Sequence, residues 1–324
     1  MQQSIILQPS QRLEYIDLAK GIGIMLVVIG HCVDGQGFLG QYIWSYHMPL
    51  FFMISGLCFN DNRYPTFKSF LQKRVKTLFI PCLYFTAIML ILSTLVLPSY
   101  YDLSLISSKF PSAYWFVFTL FLSELFFYES NRIFKTQTMK IIFLFICLGI
   151  SALLMWIELE LPYNICSVFI ATFFYGLGFM MKKMFNNMAI NIGRGGVIAL
   201  FLLIIPAVSV YFTKLSIDLS SNTIPFPMIY YILIALVGIV GILIASNTFL
   251  KNANRIKPII LYLGKNTLVI LLLHMFFISL SCHYVEPLIS SKIIYKIMEQ
   301  VIIWALLFGS IQLINSKAKW LLGK

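Results

Sequence analysis

Asp17, Lys20 and His31 are the ionisable residues of an otherwise apolar stretch, Asp17-Leu-Ala-Lys20-Gly-Ile-Gly-Ile-Met-Leu-Val-Val-Ile-Gly-His31. Lys20 and His31 are eleven residues apart, about three helical turns, so on one helix they point the same way with an offset of roughly 20°. Asp17 joins that stripe. Charged side chains are costly in hydrocarbon, and ionisable residues inside a membrane segment mark function by default. A histidine here can take the proton from a hydroxyl as that hydroxyl attacks a carbonyl. It can also carry an acyl group covalently. The residues leave both routes open, with Lys20 and Asp17 tuning the charge and tautomer of the imidazole.

A second histidine follows in Trp44-Ser-Tyr-His47-Met-Pro49-Leu-Phe-Phe-Met-Ile-Ser55-Gly56. A short turn containing Gly35, Gly37 and Gly40 separates it from His31, so antiparallel helices would bring both imidazoles to one depth, around a polar cavity. His31, Lys20, Asp17 and His47 are therefore the catalytic candidates. Further along, Lys68-Ser-Phe-Leu-Gln-Lys73-Arg74-Val-Lys76-Thr-Leu-Phe-Ile-Pro81 leads into an apolar run. Guanidinium groups hold phosphate in a fork and ammonium groups as a point charge. Lys73, Arg74 and Lys76 are thus candidates for the phosphates of a donor, and equally fit anchoring of a helix at the basic face of a membrane. Ser55, Trp115, Asn164 and Glu124 are the candidates for substrate contact. Glu124 divides between lining a cavity and sitting at an interface, and Trp115 also fits an aromatic belt. His274, taken alone, reads as structural.

These residues must be held by membrane helices. Of the 324 residues, 60% are hydrophobic and 11% charged, with mean hydropathy +0.88, where soluble domains carry about 25% charged residues. Apolar runs of spanning length fall near 15–33, 40–59, 75–97, 112–129, 138–157, 163–181, 195–213, 226–246, 259–281 and 292–316. The expected fold is an all-α, polytopic membrane bundle of about ten helices, one domain over 1–324 with no appended soluble domain. An even count places both termini on one side. All 24 lysines and arginines except Lys109, Lys214, Lys292 and Lys296 lie on that side, which the positive-inside rule makes cytoplasmic. Outer loops would carry Asp34, Asp102, Glu158, Glu160, Asp218 and Glu286, and Pro98 and Pro111 are among the prolines marking helix ends. This topology accounts for most of the net charge of +12 and removes the case for nucleic acid. The first helix is expected to act as an uncleaved insertion signal. Gly193-Arg-Gly-Gly196 lacks the spacing of a phosphate loop. No C-x-x-C pair or histidine–carboxylate cluster suggests a metal, and six dispersed cysteines read as small packing residues.

Several motifs together resemble one family. They are Tyr15-Ile-Asp17-Leu-Ala-Lys20-Gly with His31 eleven residues beyond Lys20, His47-Met-Pro49-Leu-Phe-Phe with Ser55-Gly56, Arg74-x-Lys76 before Pro81, Trp115-Phe116, and Gly264-Lys-Asn-Thr267-Leu268 with His274. In order and spacing they resemble the acyltransferase-3 family of membrane O-acyltransferases across nearly the whole chain. That resemblance implies ten helices, acetyl-coenzyme A as the donor with no permanently bound cofactor, and a carbohydrate or lipid-linked glycan acceptor on the extracytoplasmic side. The setting it implies is a bacterial inner membrane and the biosynthesis of a surface polysaccharide such as O-antigen, capsule or exopolysaccharide. The family usually places arginine where Lys20 stands and a second arginine where Lys76 stands; both changes keep charge and lose the planar fork. The residues leave open a transporter or exporter of a glycan or small solute, and an acyltransferase with another donor such as succinyl-coenzyme A. Membrane lipid is the expected surround, and a homo-oligomer is compatible with the sequence.

Overall fold

In hydrocarbon a segment must satisfy its own backbone hydrogen bonds, so long apolar runs fold as helices. The computed structural model describes residues 9–97, 113–186, 192–214, 216–225, 227–248 and 255–323. Within them run α1 (Pro9–Cys32), α2 (Phe38–Trp44), α3 (His47–Cys58), α4 (Phe67–Arg74), α5 (Ile80–Val96), α6 (Tyr114–Ile133), α7 (Gln137–Trp156), α8 (Ser167–Asn186), α9 (Ile192–Thr213), α10 (Met228–Thr248), α11 (Lys257–Lys265), α12 (Thr267–Tyr284) and α13 (Lys292–Lys317). Among the described residues there is no strand; one isolated bridge pairs Asp218 with Thr223. The chain is an all-α polytopic bundle, and among the described residues eight helical segments are long and apolar enough to cross a membrane. Pro98, Asp102, Lys109 and Pro111 lie outside the described residues.

The expected spans differ from the observed helices where backbone chemistry interrupts them. The run 40–59 is not one helix but α2 and α3, broken at Ser45–Tyr46. Pro49, in the first turn of α3, has no N–H to donate back to Ser45, so a continuous helix would lose a bond there. The run at 75–97 starts earlier, at Phe67, and passes through a π-helical stretch, Val75–Phe79, before α5. Pro81 cannot donate to Thr77, and the widened turn accommodates that gap. The run 259–281 divides at Asn266 into α11 and α12. Asn266 spends its side chain on the broken ends, donating to the Tyr262 carbonyl at 2.8 Å and accepting from Asn315 at 2.8 Å. The run at 112–129 is the helix α6, which continues to Ile133 and carries Glu124, Glu129 and Arg132.

Burial sorts the helices into a centre and a ring. The spanning windows of α1, α8, α10 and α12 are 56–61% buried, whereas those of α7, α9 and α13 are 22–28% buried. Leu95, Phe212 and Val301 on outer helices turn apolar side chains outward, as a lipid surround requires. At the centre, glycines let backbones touch. Where α11 crosses α1, a Cβ on Gly264 would stand 1.8 Å from the Asp17 carbonyl oxygen, and one on Gly21 would stand 2.2 Å from that of Ile260. Gly56 of α3 and Gly178 of α8 make the same kind of crossing. The α1–α11 crossing lies beside Asp17 and Lys20, so it fixes the depth and rotation of the ionisable stripe.

Candidate active site

Three histidines meet at one end of the bundle. The His31 ring is 5.2 Å from that of His274 and 6.4 Å from that of Trp44. His47 Nδ1–H donates to the Ile43 carbonyl at 2.9 Å. His274 Nδ1–H is shared between the carbonyls of Ile270 and Leu271, at 3.0 and 2.9 Å. A carbonyl can only accept, so each of these rings has its proton on Nδ1 and a lone pair on Nε2. His274 is fully buried and its Nε2 has no hydrogen-bond partner among the described residues. His31 alone of the three is half-buried, at the wall of a cavity.

That cavity, about 250 Å³, is lined by His31, His47, Trp44, Trp115, Asp218 and Ser220 among others. Residues 217–223 form a fixed lip over it. The Ile217 N–H donates to Gln41 Oε1 at 2.8 Å, Ser167 donates to the Leu219 carbonyl at 2.6 Å, and Asn164 donates to the Ser220 carbonyl at 2.6 Å. Asp218 accepts from the backbone and hydroxyl of Ser220. A second cavity, about 180 Å³, is lined by Lys20, Ile24, Ser55, Phe51, Leu78 and Thr267 among others. Residues 20, 24, 27 and 31 of α1 face one or other cavity, and Leu271 lines both. The two hollows therefore lie end to end along one face of α1, separated at Leu271, over the ~16 Å that eleven helical residues span.

The far end is basic. Lys73 and Lys76 are exposed, and Arg74 turns inward between α4 and α6. Its Nε lies 2.9 Å from Glu124 Oε2, and its guanidinium sits 5.0 Å above the Phe70 ring. The Arg74–Glu124 contact meets the distance of an ion pair but not the angle of a hydrogen bond, so it is a charge contact whose remaining N–H groups are available. Lys20 pairs with Asp17 at 3.6 Å on adjacent turns of α1.

A family model for an acyltransferase domain, that of the acyltransferase-3 family, matches residues 13–314. The chain belongs to the acyltransferase-3 family. No curated protein and no solved structure matches the chain. This membrane acyltransferase brings His31, His47 and Trp115 to one cavity and Lys20 and Ser55 to the other. Asp17 meets the stripe through Lys20, while the Ser55 hydroxyl donates to the Phe51 carbonyl of its own helix at 2.8 Å. Asn164 lies under the lip rather than on the cavity wall, and Glu124 is committed to Arg74. Residue by residue, the sequence does not place His274 beside His31, nor Asp218, Ser220 and Trp44 on the wall of the same cavity. Their proximity comes from α12 and the 217–223 lip packing beside α1, which no local spacing encodes. The acyltransferase also buries Glu299 of α13 completely, held by Tyr295 at 2.9 Å and Lys296 at 2.9 Å, and Glu299 is not among the residues that line either cavity.

Proposed function

We propose that this acyltransferase moves an acetyl group from acetyl-coenzyme A on the cytoplasmic side to a carbohydrate hydroxyl on the extracytoplasmic side of a bacterial inner membrane. The acceptor is a surface glycan or its lipid-linked precursor. The observation that carries this reading is the pair of cavities aligned on one face of α1, Lys20 in one and His31 in the other, divided by Leu271. A thioester on a long flexible arm suits a route of that shape. Its phosphates would meet Lys73, Arg74 and Lys76 at the basic end, the side that the positive-inside rule makes cytoplasmic.

The acceptor would sit under the 217–223 lip. Trp44 and Trp115 offer apolar faces to a sugar ring, and Asp218 and Ser220 offer hydrogen bonds to its hydroxyls. His31 takes the proton of the attacking hydroxyl as oxygen bonds to the thioester carbon. The carbon–sulfur bond then breaks and the proton returns from the imidazolium to the leaving thiolate. The His274 ring stands 5.2 Å from that of His31, and its Nε2 lone pair has no partner among the described residues, so it can accept from His31. An N–H of His31 accepted there leaves the opposite nitrogen free as the base, the role a carboxylate plays behind many catalytic histidines.

The test is acetyl transfer from labelled acetyl-coenzyme A in membranes carrying wild type, His31→Ala or His31→Gln, with protein amounts matched. Loss of transfer in both variants supports the reading; near wild-type transfer in either removes His31 from the mechanism. Mass spectrometry of surface glycans from cells with and without the protein identifies the acceptor, and an unchanged glycan profile overturns the carbohydrate assignment.

A further inference from the structure

A third cavity, about 360 Å³, opens at the basic end between residues 61–65 and the last turn of α6. Its walls include Asp61, Tyr64, Tyr128, Asn131, Arg132 and Lys135. Asn131 is only 8% exposed, and its Oδ1 has no hydrogen-bond partner among the described residues. Buried polar atoms are almost always satisfied, and this oxygen, on the cavity wall, can accept from a donor that enters the cavity. Arg132 is locked in place, donating from one terminal nitrogen to the Pro65 carbonyl and the Tyr128 hydroxyl, both at 2.6 Å. Its other terminal nitrogen and the Lys135 ammonium supply cationic donors to an anion.

This cavity is wired to Arg74 by stacked groups. Arg74 lies over Phe70, Phe70 stacks on Tyr128 with centroids 4.5 Å apart and planes 11° apart, and Arg132 lies 5.5 Å over Tyr128. Two guanidinium groups thus cap one aromatic stack, one toward Glu124 and the other toward the cavity. An amide acceptor, a carboxylate and two cations around one hollow match a phosphorylated nucleoside. An exocyclic amine can donate to Asn131 and a ribose hydroxyl to Asp61, while a phosphate monoester meets Arg132 and Lys135.

We propose that this cavity binds the 3′-phosphoadenosine end of the donor. The inference rests on the reading of coenzyme A as the donor carrier. It gives the donor a direction: nucleoside at Asn131, diphosphate along the stack toward Arg74 and Lys76, and arm toward the Lys20–Ser55 cavity. It also separates two phosphate contacts that composition alone merges.

The experiment is calorimetric titration of the full-length protein in detergent with coenzyme A and with 3′-dephospho-coenzyme A. Lys135 is exposed in the connection between α6 and α7, so Lys135→Gln leaves the fold intact. Wild type is expected to bind coenzyme A about tenfold more tightly than the dephospho form, the worth of one charge-assisted contact. In Lys135→Gln that ratio falls toward one through weaker binding of coenzyme A alone. Asn131→Ala weakens both ligands alike. An unchanged ratio in Lys135→Gln overturns the proposal while leaving the donor reading in place. Binding of neither form by folded wild-type protein overturns the donor reading and this inference with it. Competition by phosphatidylglycerol vesicles, with no discrimination between the two coenzymes, assigns the cavity to a lipid headgroup instead.

Discussion

Replacing Gly264 by alanine tests the crossing that positions the ionisable stripe. The new Cβ would stand 1.8 Å from the Asp17 carbonyl oxygen, where ordinary contact begins at 3.4 Å, so α11 and α1 must part by about 1.6 Å. The obstacle is backbone on a central helix, not the flexible end of a side chain. Overpacking costs about 1–3 kcal/mol where side chains can adjust; here the upper end, about 3 kcal/mol, is expected. Asp17 and Lys20 ride on the displaced turn, and misplacement of about 1 Å near reacting groups costs about 10²-fold in rate. Gly309 in α13 is the control, because a Cβ there meets nothing within 4 Å. Gly309→Ala should be neutral, or stabilising by about 0.5–1 kcal/mol through helix propensity. Gly21→Ala strikes the same crossing from the other side, so its cost and that of Gly264→Ala should be less than additive when combined. Stability in detergent is read by thermal unfolding, and function by acetyl transfer in matched membranes. Equal stability and rate for Gly264→Ala and Gly309→Ala would refute the close crossing.

Three further outcomes follow from the site. His274→Ala should lower acetyl transfer by about 10²-fold by releasing His31, and His274→Gln, whose side-chain oxygen can replace the Nε2 lone pair, should recover part of it; equal rates in both deny the positioning role. Leu271→Trp, which thickens the wall between the cavities, should abolish transfer while calorimetric binding of coenzyme A persists, and full transfer would mean the arm takes another route. Glu124→Gln should destabilise by about 3 kcal/mol by stranding the half-buried Arg74 charge, with Arg74→Met in that background restoring part of the loss in a thermal melt; no change in the single variant shows that solvent already screens the pair.

Much of the architecture was legible because hydropathy and length are local. The runs that became α7, α9, α10 and α13 are continuous apolar segments, and their helices match the expected spans closely. The broken helices were signalled more faintly: Pro49 and Pro81 remove named hydrogen bonds, but only packing decides whether a helix kinks, widens or stops there. The Asp17–Lys20–His31 stripe was legible because one helix carries it. The His31–His274 contact was not, since it depends on α12 lying against α1 after a break at Asn266. Asp218 was visible only as a loop acid; hydrogen bonds that tie its neighbours Ile217, Leu219 and Ser220 to Gln41, Ser167 and Asn164 turn that loop into the lip of a cavity. Glu124 was ambiguous for the same reason, because its partner Arg74 is fifty residues away in sequence.

The wall at Leu271 has an electrical meaning. A hole joining the hollow beside Lys20 to the hollow beside His31 would let protons and small ions run down the membrane potential, about 2.3 kcal/mol for each charge per 100 mV. Between Lys20 and His31 the shared face of α1 presents Ile24 and Val27, with Leu271 opposite, and none of these can solvate an ion. An acyl group on a slender neutral arm can part such side chains and let them close behind it. On the proposed route the cell would export acetyl groups through an insulator, keeping its potential while its coenzyme stays inside.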